Sequence, residues 1–210
     1  MLNLFLIRHA ESEMNNRLDL IGGRSMNSPL SLRGVEQANL LGARFKNNGI
    51  VFDEIYSFTA KRAMDTAMKT CEQFGISKEN IVLSSEILEL DQGEWEGKLR
   101  DKIYTTELLN SINKDPWNFA PKKGESQKDV EERMLKWVNS TLIPKHFQNI
   151  TVGVFTHGMA IKCLLRGILD FSPQHTYKIN LDNASITRLR YDERGGHLIS
   201  VNDVAHLVGK

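Results

Sequence analysis

Cysteine is scarce in this chain of 210 residues: Cys71 and Cys163 are the two present, each inside what reads as a helix and neither in a Cys-x-x-Cys pair. That argues against a disulfide framework and against a cysteine metal site. An excess of charge of either sign is also missing. Lys plus Arg number 27 and Asp plus Glu 26, for a net +1. No global field steers the chain onto nucleic acid or anionic lipid, so neither is expected as a partner and any anion specificity must be local. No run approaches the roughly 18 apolar residues of a membrane span. The apolar start, Leu2 to Ile7, lacks a basic leader and stops at Arg8-His9, so no targeting segment is expected and the default location is cytoplasmic. Solenoid repeats and low-complexity tracts are absent as well. What remains is an ordinary globular composition, 40% hydrophobic and 25% charged, which excludes a disordered chain, a collagen-like fibre and a polytopic membrane protein. The length favours one domain over residues 1–210, with room for a small insertion.

Short apolar runs alternate with amphipathic stretches. Leu2 to Ile7 reads as a buried strand that delivers Arg8 and His9 at its carboxyl end. A polar stretch with Gly22-Gly23 follows, then a helix from Ser31 to Phe45. Val51 to Phe58 reads as a second strand, with Thr59 capping a helix closed by Gly75 and Arg62 in its first turn. Ile81 to Leu88 is a third apolar segment, ending at Glu89, and Gly93 to Gly97 reads as a turn-rich loop. Ser126 to Val138 reads as a helix opened by a Ser126-x-x-Asp129 approximation to the capping box. Ile150 to Phe155 is a fourth strand, ending at Thr156-His157 before a helix from Gly158 to about Leu169. Ser185 to Tyr191 and His197 to Val201 flank Arg194-Gly195-Gly196 as a hairpin. The pattern predicts an α/β fold: a single three-layer domain with a mainly parallel central sheet flanked by helices, plus a small helical insertion near residues 98–125. Ligands of such sheets bind at the carboxyl ends of the strands, where Arg8, His9, Arg62, Glu89 and His157 converge.

Arg8-His9-Ala10-Glu11-Ser12, followed by Asn15, resembles the Arg-His-Gly-Glu-Thr/Ser signature of the histidine phosphatase superfamily, also called the phosphoglycerate-mutase-like family. The resemblance continues, in order, through Pro29 to Gly34 with Gln37-Ala38, through Ser57 to Ala67, through Leu88-Glu89 with Gly93-x-Trp95-Glu96-Gly97, and through Gly124-Glu125-Ser126 and Thr156-His157-Gly158. It implies His9 as a phosphoryl-accepting nucleophile and Glu89 as the acid that protonates the leaving alcohol and then deprotonates the attacking water. It also implies that Arg8, Asn15, Arg62 and His157 hold the phosphoryl oxygens. The residue chemistry agrees. Arg presents a planar, permanently cationic fork to a phosphate dianion, and imidazole is nucleophilic near neutral pH. Two positions depart from the pattern: Ala10 stands where the family has Gly, and Phe58 where it has Ser.

Four functions compete. A metal enzyme built on His9, His157 and a carboxylate conflicts with two arginines in the same cluster, which would repel a divalent cation, so no metal or cofactor is expected. A non-catalytic phosphate-binding module should have lost the nucleophile or the acid. A phosphoglycerate mutase should carry substrate-gripping charges after the acid, where Leu90-Asp91-Gln92-Gly93 stands, and an Arg pair where Ala120 to Gly124 stands. A phosphatase acting on a small-molecule phosphate monoester is favoured, with the oligomeric state undetermined. Lys98, Arg100, Lys122 and Lys123 offer charge for a second anionic group of the substrate. Trp95, Trp117 and Phe119 are candidate walls of the leaving-group pocket. Glu86, Glu94 and Glu96 read as solvated loop carboxylates, Glu125 as a helix-start carboxylate.

Overall fold

The computed structural model describes residues 1–208. Strand β1 (Leu2–Arg8) is followed by α1 (Leu32–Asn47), β2 (Glu54–Ser57), α2 (Lys61–Glu72) and β3 (Ile81–Leu83). Two short helices, α3 (Arg100–Ile103) and α4 (Thr106–Lys114), form the insertion. Then come α5 (Gln127–Trp137), β4 (Ile150–Thr156), α6 (Gly158–Leu169) and the hairpin β5 (Ile186–Asp192) and β6 (Gly195–Asp203). The six strands form one sheet in the order β3-β2-β4-β1-β5-β6. β3, β2, β4 and β1 are parallel, and β5 and β6 add an antiparallel edge.

Successive side chains of a strand face opposite sides of a sheet, and β1 is apolar on both. Leu2, Leu4 and Leu6 enter one core with Val152, Val154, Met134 and Leu164, whereas Phe5 and Ile7 enter the other with Leu41, Phe45 and Phe155. Helices α5 and α6 cover the first face, α1 and α2 the second, which makes the three layers. Ser31 caps α1 by accepting from the Gly34 N–H (3.0 Å), and the Ser126–Asp129 capping box opens α5. Among the described residues no helix is long and apolar enough to cross a membrane.

Some boundaries differ from the sequence expectation. The second strand begins at Glu54 rather than Val51, and the third ends at Leu83, so Glu89 lies well beyond a strand end, in a loop. Thr59 does not cap α2. The N-cap is Ala60, and the Lys61 N–H that a capping side chain would serve donates instead to the Met26 carbonyl (2.9 Å). The hairpin turn lies at Glu193-Arg194, with β6 already begun at Gly195.

Candidate functional site

The floor of the site comes from the two central strands. Arg8 of β1 is in register with Thr156 of β4, so the next residues, His9 and His157, emerge side by side with ring centroids 5.1 Å apart. Both are buried, at 3% and 0% exposure. Arg62, in the first turn of α2 and also buried, lies between them: its Nε donates to His9 Nε2 (3.1 Å) and its Nη2 to His157 Nδ1 (3.1 Å). Guanidinium nitrogens only donate, so both of those ring atoms must carry lone pairs. His9 therefore bears its proton on Nδ1, which donates to the Ala10 carbonyl at 2.8 Å. His157 bears its proton on Nε2. Burial first, and then the positive charge of Arg62, push both imidazoles well below their ordinary value of 6.5. One neutral ring thus presents a lone pair and its neighbour an N–H.

Two buried donors in this cluster have no acceptor, His157 Nε2 and Arg8 Nε. Leaving such a group unpaired costs about 1–3 kcal/mol, which an anion placed between them would offset. Arg8 is held from its other end by an Nη1 bond to the Leu181 carbonyl. Asn15 receives the Ser12 N–H (2.9 Å), the Ser12 hydroxyl (2.9 Å) and the Asn183 amide (3.3 Å) on Oδ1, which leaves its own NH2 as the end able to donate to a ligand.

Arg8, His9, Asn15, Arg62 and Glu89 line one pocket of about 180 Å³, together with Ser12, Gly23, Leu90, Gln92, Arg100 and Met159. His157 lies beneath it rather than in its wall. Glu89 is bound to the start of α6: its Oε1 accepts from the N–H groups of Leu90 (2.9 Å), Met159 (3.1 Å) and Ala160 (3.2 Å). A carboxylate suits a helix N-terminus, where unpaired N–H groups and the helix dipole converge. The loop before Glu89 is tied down by the Thr156 hydroxyl on the Ile87 carbonyl (2.5 Å) and by Arg133 on the carbonyls of Glu86 (2.8 Å) and Glu89 (3.2 Å).

The departures have simple consequences. Ala10 has no positive φ. It is fully buried against Ala38 and Ala184, so small size is what its position demands. Phe58 packs its ring edge-on against His157 at 5.4 Å and stays out of the pocket, so it takes no part in donating to a ligand.

Of the four cations near the insertion, Arg100 lines the pocket, with its Nε anchored on the Leu20 carbonyl (2.9 Å). Lys122 and Lys123 pair with Glu94 (3.3 and 3.1 Å), and Lys98 is outside the lining. Trp95 and Phe119 line a small adjoining cleft. Trp117 instead lies under the Arg166 guanidinium, 4.3 Å from its ring centre. Glu125 accepts two bonds from Arg133, both at 3.0 Å, and pairs with Arg24 (3.2 Å), so it is part of an ion network rather than a helix-start group alone.

Sequence reasoning assigned no role to Ser12, Asn183 or Thr66, although Ser12 and Thr66 lie inside quoted motifs. The Thr66 hydroxyl accepts the Ala10 N–H (3.0 Å) and donates to the Arg62 carbonyl (2.6 Å), which ties the His9 segment to α2. Thr66 lies inside the Ser57 to Ala67 motif, which was the available signal.

A two-histidine, two-arginine cluster at the carboxyl ends of a parallel sheet agrees with the family comparison. The profile of the histidine phosphatase superfamily (branch 1) matches residues 4–204, and the chain belongs to that family. Phosphoserine phosphatase 1 of Hydrogenobacter thermophilus is 28% identical, with 99% of this chain and 95% of that one covered. The 2,3-bisphosphoglycerate-dependent phosphoglycerate mutase of Parvibaculum lavamentivorans is 26% identical over 92% of each chain. The crystal structure of phosphoserine phosphatase from Entamoeba histolytica in complex with 3-phosphoglyceric acid is 28% identical. It covers 99% of this chain and 100% of its own, with a TM-score of 0.83. Hydrolase activity is thereby supported at the level of the family.

Proposed function

We propose that the protein is a phosphatase that hydrolyses a phosphate monoester through a phosphohistidine on His9. The observation that carries this reading is the opposed tautomer pair: a buried His9 whose Nε2 holds a lone pair, beside two buried donors, Arg8 Nε and His157 Nε2, with nothing to bind. In the first step the Nε2 lone pair forms the N–P bond, the ester P–O bond breaks, and Glu89 delivers its proton to the departing alkoxide. In the second, water attacks phosphorus, Glu89 takes a water proton, and the N–P bond breaks to release orthophosphate and restore the lone pair. Arg8, Asn15, Arg62 and His157 hold the phosphoryl oxygens as charge moves among them. Fixed guanidinium charge does the work that a metal ion would otherwise supply.

Arg100 on the pocket rim favours a leaving group that carries a carboxylate, the kind of molecule held by the Entamoeba neighbour. The mutase reading draws on the names of relatives such as the Parvibaculum enzyme. It requires the phosphoryl group to return to an acceptor, and of the cations near the insertion Lys122 and Lys123 pair with Glu94 outside the pocket lining, which leaves Arg100 alone within it.

The test is a panel of phosphate monoesters, phosphoserine and 3-phosphoglycerate included, assayed with and without chelator and with 2,3-bisphosphoglycerate priming. Release of orthophosphate, unaffected by chelator, is the expected result. Efficient formation of 2-phosphoglycerate would establish the mutase, and activity lost to chelator and restored by a divalent ion would establish a metal enzyme.

A further inference from the structure

Glu96 is half-buried and bonded to backbone, where a solvated loop carboxylate was expected. Its Oε2 accepts the Arg24 N–H (3.0 Å) and its Oε1 the Ser25 N–H (2.6 Å), two consecutive peptide groups of the loop on the far side of the pocket. The carbonyls of the same loop face the other way. Those of Arg24 (2.7 Å) and Ser25 (2.9 Å) receive Nη1 of Arg62, and that of Gly23 (3.3 Å) receives its Nη2. The loop is therefore a relay one peptide thick, with a carboxylate on its N–H side and a guanidinium on its carbonyl side.

The contact is close enough to dictate sequence. Gly23 has φ +63, and a Cβ there would sit 2.7 Å from Glu96 Oε2 and 3.0 Å from Gln92 Cβ. Ser25 is held at φ +32, a conformation that a non-glycine residue keeps only when its surroundings enforce it. The negative charge of Glu96 also acts on Arg62 across the loop, opposing the effect of burial on that guanidinium.

We infer that Glu96 is a positioning residue: by holding the N–H groups of Arg24 and Ser25 it sets the three carbonyls that aim Arg62 at His9 and His157. It touches no reacting atom. Its effect reaches the reaction through Arg62 alone, and in its catalytic consequence it rests on the phosphatase reading above.

The experiment compares Glu96→Gln, Arg62→Ala and the double variant in the first-turnover phosphorylation of p-nitrophenyl phosphate. The amide keeps the shape and one acceptor oxygen but turns an NH2 toward a peptide N–H. Misplacing a catalytic group by a fraction of an ångström to 1 Å costs up to about 100-fold, so Glu96→Gln is expected to slow the step about 10- to 100-fold. In the Arg62→Ala background the same substitution is expected to change the rate by less than about twofold, because the residues act in series. A residue that merely stabilises the loop would multiply its loss onto that of Arg62. Nitrogen-15 NMR of His9 supplies a readout independent of turnover: the Nε2 resonance is expected to move in Glu96→Gln as its bond from Arg62 loosens.

An unmoved resonance, a single-variant rate within about twofold of the parent, or multiplying losses would each overturn the inference. A moved resonance in a protein that hydrolyses no monoester would instead sink the phosphatase reading and leave the positioning role standing. Should Glu96→Gln not fold, Gly23→Ala makes the same demand, since it retains the carboxylate but pushes it off the two N–H groups.

Discussion

His9 and His157 directly follow neighbouring strands whose register is set by backbone hydrogen bonds along their whole length, whereas Glu89, Glu96 and Arg100 belong to loops and a short helix that no sheet ladder reaches. The first group is buried and neutral, packed over two hydrophobic cores. The second is held by carboxylates on peptide N–H groups and by arginines on carbonyls. One pocket thus has a floor that is stiff because the fold is stiff, and a wall that is ordered because particular side chains order it. On the proposed mechanism the floor makes and breaks the N–P bond, and Glu89 is the one wall residue that shares in that chemistry. Discrimination among alcohols falls to the wall, which can change without disturbing the sheet.

The division is most severely tested at the nucleophile. His9→Ala is expected to abolish turnover, a loss on the order of 10⁶ if it behaves like nucleophile removal elsewhere, and with it any acid-labile, base-stable phosphoryl label recovered after rapid quenching. Label found on another residue would move the chemistry off the floor. Next in size is Glu89→Gln, which keeps the α6 contacts on one oxygen but has no proton to give. General acid catalysis contributes about 10²- to 10⁴-fold, so an alkyl phosphate should lose about that much in first-turnover phosphorylation, and p-nitrophenyl phosphate, whose phenolate leaves unaided, much less. Equal losses for the two substrates would assign the proton to another group, Glu86 or Glu125 being the next to examine.

Arg100→Gln sharpens the wall's side of the comparison. A hydrogen bond to a charged group is worth about 1.5–3 kcal/mol, so KM for phosphoserine is expected to rise roughly tenfold or more, with KM for phenyl phosphate unchanged. A parallel rise for both would show that Arg100 serves the phosphoryl group.

Acidification probes the floor without mutation. In the unfolded chain the two histidines gain protons as pH falls through 6.5, whereas in the folded protein burial and Arg62 keep them neutral to lower pH. The unfolded state then binds more protons, so stability is full above that value and is lost below it, by up to about 1.4 kcal/mol per pH unit for each histidine. Urea midpoints measured from pH 7 to pH 5 should fall with that slope, to which His206, pushed down to about 4 by burial, adds its own share, and His157→Asn should flatten it by one histidine's share. Lys122→Ala is the smallest change expected, within about 0.5 kcal/mol in stability and with no effect on turnover, because neither it nor its partner Glu94 lines the pocket.

The floor was legible in the sequence because a buried strand leaves a physical trace: Leu2 to Ile7 is apolar but for Asn3 and ends abruptly at Arg8-His9, and Ile150 to Phe155 is a second short β-branched run that ends at Thr156-His157. The wall left a fainter one. Ile81 to Leu88 looks like a strand throughout, but pairing ends near Ser84, whose N–H still reaches the Ser57 carbonyl (3.1 Å). Beyond it Ile87 is apolar because a loop drops it into the core, not because it continues the sheet. The role of Glu96 was unreadable for a different reason, although the residue stands in the Gly93-x-Trp95-Glu96-Gly97 match. Its partners are peptide groups of Arg24 and Ser25, and a peptide N–H leaves no mark in composition or periodicity. Thr59 failed as a cap because the Met26 carbonyl, distant in sequence, does that task.

Arg62 has five N–H donors, and before any ligand arrives all of them are engaged, by His9, His157 and the carbonyls of Gly23, Arg24 and Ser25. A phosphoryl oxygen that takes one of these donors must first displace a lone pair or a carbonyl, which offsets part of what the charge-assisted bond gains. Arg8 Nε and His157 Nε2 surrender nothing and gain a whole bond each. The net gain per bond is therefore larger at Arg8 and His157 than at Arg62. On the proposed mechanism, orthophosphate released from the N–P bond would be retained mainly by Arg8 and His157, and the Arg62 Nε–H would close again on His9 Nε2 as the product leaves.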